Sequence, residues 1–359
     1  MPSTLLLAST VIAGKFYMQG PTCQIKKDMS GKTVLITGAT SGIGKETAKS
    51  LAQQNATLIL ACRNQEKSEK FIQELKKNTG NQNIHFIQLQ LDDWSQIKKS
   101  VEDLEKLQKK VENNNIDVLI NNAGIYVSKF DQNKQGFESQ FATNHMGHFI
   151  FTNLLFQKLK NTPESRVINL SSRAHERSPN LDLSNYENFE KQVKNKESFS
   201  ALNTYPLSKL ANMMFTKGLQ FKFDSELQKI NNNDGGQMLQ QQQKYQNYNT
   251  PTKVVSCHPG VVATEMIEKL ATNNEKIKKY VDNFFFKNFI LSPVLWYFCK
   301  TPEQGAQTTL QLVYSDYSAL KKGGYYKDLQ LADYHKQADN TNDVNKFWEF
   351  SEIIAKPFY

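Results

Sequence analysis

Cysteine is scarce in this 359-residue chain. Cys23, Cys62, Cys257 and Cys299 are the whole complement, and none belongs to a C-x-x-C pair. So few thiols exclude a disulfide framework and point to a reducing compartment. The spacing of the six histidines suggests no zinc site, so no metal is expected. A long apolar run near the start is also missing. Leu5–Gly14 is apolar but only about half the roughly 20 residues that a spanning helix needs. No cation precedes it, as a secretory signal would require. It reads equally as a membrane-surface anchor and as a terminal arm. Charge of one sign is not concentrated either. Lys and Arg number 44 against 35 Asp and Glu, a net charge of +9, but the lysines are scattered. Without a basic block, nucleic acid is not an expected partner.

What is present is alternation. Short apolar runs read as buried strands at Thr33–Thr37, Ala56–Cys62, Ile84–Leu91, Asp117–Ile120, Arg166–Leu170 and Thr252–Cys257. A shorter one lies near Gly323–Tyr326. Helical spacing fills the gaps at Lys45–Gln54, Glu66–Lys77, Ser95–Glu112, Phe141–Leu159, Thr204–Phe221 and Thr301–Val313. Strands alternating with helices call for parallel strands joined by crossovers. The expected fold is α/β, a Rossmann-type doubly wound parallel sheet in a single domain. That domain spans residues 31–329, after an arm at 1–30 and before a C-terminal extension at 330–359 that packs on it. Two segments break the pattern. The Asn/Gln-rich stretch at 230–250 reads as a disordered surface insertion. Phe284–Cys299 is strongly apolar and interrupted by Pro293, so it reads as a core helix pair or as a lid over an apolar substrate.

Thr37-Gly38-Ala39-Thr40-Ser41-Gly42-Ile43-Gly44 lies between the first strand and the first helix. Glycines there let the backbone turn tightly and approach a pyrophosphate, while the helix N-terminus offers N–H donors. An acid after the second strand would suit a ribose 2′-hydroxyl. This strand ends Ala61-Cys62-Arg63-Asn64 instead. A cation there favours a 2′-phosphate, hence NADP(H).

Tyr205-Pro206-Leu207-Ser208-Lys209 places Tyr and Lys about 40° apart around a helix axis, on one face. A free phenol, with a pKa of about 10, is a poor base near neutrality. A neighbouring ammonium is expected to lower it, giving an acid/base suited to an alcohol/carbonyl couple. Pro206 requires the helix to begin only a residue or two before Tyr205.

Taken in order, Thr37–Gly44, Asn121-Asn122-Ala123-Gly124, Ser171-Ser172, Tyr205…Lys209 and Pro259-Gly260 resemble the short-chain dehydrogenase/reductases. Ala61-Cys62-Arg63, Asn144-His145-Met146-Gly147-His148-Phe149, Ser208-Lys209-Leu210-Ala211-Asn212 and His258-Pro259-Gly260-Val261-Val262 resemble the retinol dehydrogenase branch more narrowly. The resemblance implies roles. Tyr205 would be the acid/base, and Lys209 would lower its pKa and hold the nicotinamide ribose. Ser172 would bond the substrate oxygen, and Asn144 would hold a water behind Lys209. Gly38, Thr40, Ser41, Gly42, Ile43 and Gly44 would cradle the cofactor phosphates. Arg63 would meet the 2′-phosphate and Asp92 the adenine. Asn122, Ala123 and Gly124 would line the cofactor from the fourth strand. Pro259, Gly260, Val262 and Thr264 would line the nicotinamide side. Arg173–Asn203 would loop out and return as a wall of the substrate pocket.

The expected reaction moves a hydride between NADP(H) and a small carbonyl or alcohol. The apolar Phe284–Cys299 segment favours a retinoid- or lipid-like one. The expected location is cytoplasmic, either free or in peripheral contact with the endoplasmic reticulum membrane. A non-catalytic NADP(H)-binding sensor or interaction protein is the alternative, which loss of Tyr205 or Lys209 would have favoured. Nothing in these motifs specifies an oligomeric state.

Overall fold

In the computed structural model, residues 15, 19–197, 199–233, 252–262 and 297–359 are described. They build one sheet with strand order β3-β2-β1-β4-β5-β6-β7-β8. The strands are β1 (Thr33–Thr37), β2 (Thr57–Cys62), β3 (Ile84–Gln88), β4 (Val118–Asn121), β5 (Arg166–Leu170), β6 (Lys253–His258), β7 (Tyr325–Lys327) and β8 (Gln330–Leu331). All pair in parallel except β7 with β8. Strands such as β1 and β5 are buried along their whole length. Helices cover both faces, which is why these strands read as continuous apolar runs rather than alternating ones. The order reverses between β1 and β4, and ligands of this architecture bind beyond the strand ends at that switch.

The helices flanking β1–β4 are α1 (Gly42–Gln53), α2 (Gln65–Thr79) and α3 (Trp94–Lys110). Asn64 caps α2 by accepting from Lys67 N, and left-handed Gly80 ends it. The strand expected to reach Leu91 ends at Gln88 instead. Beyond it, Leu89 N still donates to Cys62 O before the chain turns into α3.

The helix expected at Phe141–Leu159 is broken. It runs as α4 (Ser139–Phe141), a π-turn over Ala142–Met146, α5 (Gly147–Leu154) and α6 (Phe156–Asn161). After β5 comes a 3-10 turn at Arg173–Arg177 and then α7 (Tyr186–Lys194), a helix inside the stretch expected to loop. α8 spans Ala201–Asn233, so it begins four residues before Tyr205, not one or two. Pro206 is tolerated because the carbonyl that loses its partner belongs to Leu202, which is 79% exposed. α8 also carries the chain to Asn233, into the stretch expected to be disordered; the rest of that insertion lies outside the described residues.

The final helices are α9 (Pro302–Tyr314) and α10 (Thr341–Ala355). Thr301 and Gln304 form a reciprocal capping box at the start of α9, with Pro302 in the first turn. α10 docks on α8 through Trp348, which stacks on Phe215 at 6.1 Å and lies against Gly218. Phe347 and Phe350 meet the Phe189 ring of α7 at centroid distances of 6.0 and 5.6 Å. Each such buried ring contributes roughly 1.5–3 kcal/mol. No helix among the described residues is long and apolar enough to cross a membrane. Most of Phe284–Cys299 and all of Leu5–Gly14 lie outside the described residues.

Candidate active site

The loop after β1 is shaped by what cannot fit. Gly38 has φ +68°, and a β-carbon on it would lie 2.8 Å from Ala123 Cα. A β-carbon on Gly44 would lie 2.4 Å from both Asn122 Nδ2 and Gly38 O. Thr37 ties the loop to β4. Its hydroxyl accepts from Asn122 N at 3.0 Å and Ala123 N at 2.9 Å, and lies 2.8 Å from His148 Nε2. With both acceptor positions used, Thr37 donates to His148 Nε2. The other ring nitrogen therefore carries the proton and donates to Asn144 O at 3.0 Å. That tautomer suits a neutral imidazole, and burial holds the His148 pKa down at about 4. Asn122 Nδ2 closes the turn by donating to Thr37 O and Gly38 O at 2.8 and 3.1 Å. Neither Thr37 nor His148 stood out as a hub in the sequence; the signal was Asn144 and His148 lying four apart on one helical face.

Arg63 is exposed just past β2 and makes no hydrogen bond or ion pair among the described residues. Thr40, Gly42, Ile43 and Asp92 are half-buried and Ser41 is exposed. Ile43 and Val262 converge on Gly305 of α9, where a β-carbon would meet them at 3.2 and 2.7 Å. Pro259 leads into Gly260, whose φ is +89° and whose N–H donates to His258 Nδ1 at 2.8 Å. Thr264 lies outside the described residues.

The π-turn carries Asn144, which is fully buried. Such turns recur at functional sites because the extra residue re-aims side chains. Here Asn144 Oδ1 accepts from Ile125 N at 2.7 Å, and its Nδ2 donates to Ile125 O and Ser208 Oγ, each at 3.0 Å. Ser208 in turn donates to Tyr205 O at 2.8 Å. Lys209 Nζ lies 5.7 Å from the Tyr205 ring centroid and donates to Leu170 O at 3.2 Å. A β-carbon on Gly124 would fall 3.3 Å from Lys209 Nζ and 3.4 Å from Asn144 Oδ1, so bare backbone faces both. Burial lowers the Lys209 pKa to about 8. Ser171 Oγ pins the backbone by donating to Lys209 O at 2.8 Å.

Tyr205 sits half-buried against the edge of Tyr126, with ring centroids 5.6 Å apart. Burial pushes its phenol pKa up, and the Ser172 hydroxyl beside it works the other way. The Lys209 ammonium, expected to lower it, lies close by. The ammonium is itself desolvated and is drawn to Leu170 O. Ser172 Oγ accepts from Ala174 N at 3.2 Å, which leaves the hydroxyl proton for another oxygen.

Comparison with known proteins fixes the family. A short chain dehydrogenase family profile matches residues 32–187. Human retinol dehydrogenase 11 is 31% identical over 358 residues, covering 99% of this chain and 96% of that protein. The chain belongs to the short-chain dehydrogenase/reductase family, in its retinol dehydrogenase-like branch. Human retinol dehydrogenase 13 is 30% identical, covering 97% of this chain and 92% of that protein. Among solved structures, an uncharacterized protein from Mycobacterium paratuberculosis superposes with a TM-score of 0.61 at 26% identity. It covers 94% of this chain and 98% of that one. A Shigella flexneri short chain dehydrogenase complexed with NADP shares the fold at a TM-score of 0.54 and 20% identity, covering 85% of this chain and all of that one. Family members are oxidoreductases that act on alcohol or carbonyl groups with a nicotinamide dinucleotide, and this chain is one of them.

Proposed function

We propose that this enzyme uses NADP(H) to interconvert an apolar, retinoid- or lipid-like carbonyl and its alcohol, with Tyr205 as acid/base. One observation carries the reading: Asn144, Ser172, Tyr205 and Lys209, from three separate segments, converge beyond the strand ends beside a loop that only glycine can form. The residues fit a dinucleotide. Gly38 and Gly44 keep the loop backbone bare, and the buried Lys209 ammonium has three donors, with Leu170 O as its one acceptor among the described residues. Lys209 and Asn122–Gly124 would hold the nicotinamide half, the Gly38–Gly44 loop the phosphates, and Asp92 the adenine. Arg63, exposed and without a partner among the described residues, supports a 2′-phosphate.

The bound nicotinamide supplies or accepts the hydride. The chain positions and protonates. Ser172 donates its hydroxyl proton to the substrate oxygen and orients it toward Tyr205. The Tyr205 phenol, held protonated by burial, delivers the proton in reduction, and the phenolate so formed is the group that takes it back in oxidation. Lys209, charged below its lowered pKa, offsets the charge that develops on the phenolate oxygen. Asn144, fixed by Ile125 and Ser208, supports a proton path behind Lys209. The relatives' name and the Phe284–Cys299 sequence support an apolar substrate.

The test is NADPH consumption against a panel running from short polar aldehydes to retinal. Faster turnover of the long apolar members is expected. Preference for the short ones would remove the apolar assignment. Tight NADPH binding without any turnover would favour the sensor reading.

A further inference from the structure

Three buried polar atoms have no hydrogen-bond partner in the described structure: His175 Nε2, His258 Nε2 and the Tyr325 hydroxyl. His175 and Tyr325 are fully buried and His258 is 3% exposed. The Tyr325 ring lies 4.8 Å from the His175 ring, edge-on, and 6.0 Å from the His258 ring, stacked. The tautomers follow from the other ring nitrogens. His175 Nδ1 lies 2.5 Å from Ser172 O, and a carbonyl only accepts, so Nδ1 bears the proton and Nε2 is an acceptor. His258 Nδ1 accepts from Gly260 N, so its proton is on Nε2, a donor. A donor, an acceptor and a phenol able to be either are thus gathered in one buried cluster. Burial keeps both imidazoles neutral.

The cluster clamps two turns at once. His175 holds Ser172 O twice, through Nδ1 and through its own backbone N–H at 3.0 Å. Ala174 N then fixes Ser172 Oγ from the same 3-10 turn. His258 holds the Pro259-Gly260 turn at the end of the adjacent strand β6. We infer that His175 is a positioning residue: its Nδ1–H bond to Ser172 O aims the Ser172 hydroxyl at the reacting oxygen, with Tyr325, itself stacked on His258, packed against the imidazole. This rests on the function proposed above, and it adds a residue outside the Ser172/Tyr205/Lys209 set.

The test exploits the reach of the amide side chains. In His175→Asn the amide nitrogen can occupy the Nδ1 position. In His175→Gln it reaches only as far as Nε2, and His175→Phe keeps a ring but has no donor. With NADPH KM unchanged throughout, His175→Phe and His175→Gln should lose about 10- to 100-fold in kcat while His175→Asn stays within about threefold of wild type, as expected when a reacting group is misaimed. In a Ser172→Ala background, His175→Phe should cost no further kcat, because the two act as one unit. Thermal unfolding checks that each variant is folded. Nitrogen NMR of the imidazoles should place the His175 proton on Nδ1 and the His258 proton on Nε2. Equal losses in Asn and Phe variants, additive losses with Ser172→Ala, full activity of His175→Phe, or the reversed tautomers would each overturn the role. A wild-type chain without turnover would remove the proposed function and this role together, whereas wild-type turnover with undivided variants removes only this role.

Discussion

The two sides of the site are built by different means. On the cofactor side, backbone meets backbone: Gly38 against Ala123, Gly44 against Gly38 O, with one threonine hydroxyl tying β1 to β4. Such contacts admit few residue types, and the groups that make them lie at the ends of neighbouring strands. On the other side, rings meet rings. Phe189 of α7, Phe215 of α8 and Phe347 of α10 surround the π-turn, and Phe347 approaches His145 at 5.0 Å. Many apolar sequences could fill that volume. The first side is specified by shape at the level of the main chain, and the second by volume shared among elements far apart in sequence.

If this division is right, variants should separate stability from cofactor binding. Phe347→Ala should cost about 3–5 kcal/mol in chemical denaturation while leaving the NADPH Kd of the folded protein unchanged. Loss of NADPH binding at unchanged stability would break the comparison. Gly44→Ala should do the reverse, weakening NADPH at least about 10-fold and costing at most about 1–3 kcal/mol of stability, since the backbone must shift around the new methyl group. Arg63→Glu comes next. Replacing a cation that pairs with a 2′-phosphate should lower the preference for NADPH over NADH by about 10-fold or more, with no change in unfolding midpoint. Steady-state kinetics with both dinucleotides decide it, and an unaltered ratio removes Arg63 from the site.

The pH dependence of stability belongs to both sides. Burial holds His145 down at about 3, and His148 and His258 at about 4. Unfolded histidine titrates at about 6.5. Between those values the unfolded chain binds protons that the folded chain does not. The stability these residues contribute is therefore complete above about pH 6.5 and lost as pH falls toward 4. Thermal unfolding at a series of pH values should show the midpoint dropping below that point. A flat profile from neutrality to pH 4 would mean that the imidazoles are hydrated.

The same division explains what could be read from the sequence. The strands were legible because burial on both faces makes apolar runs such as Thr33–Thr37. The Gly38–Gly44 loop and the Tyr205/Lys209 pair were legible because their chemistry needs particular residues at fixed spacing. The π-turn was not, since Ala142–Met146 has ordinary helical periodicity and the irregularity comes from tertiary demands on Asn144. The early start of α8 was missed because a rule about proline in a first turn yields where the orphaned carbonyl belongs to an exposed residue, Leu202. His175 carries no signal of its own in a stretch that reads as a loop, and only the fold brings its ring against Tyr325 of the penultimate strand.

The most direct test of the central claim is single-turnover NADPH oxidation by the wild-type chain and by Tyr205→Phe with one apolar aldehyde, alongside the NADPH Kd of each. The account predicts that Tyr205→Phe binds NADPH as tightly as wild type and reacts about 100- to 10,000-fold more slowly. Reaction at the wild-type rate without the Tyr205 hydroxyl would contradict it.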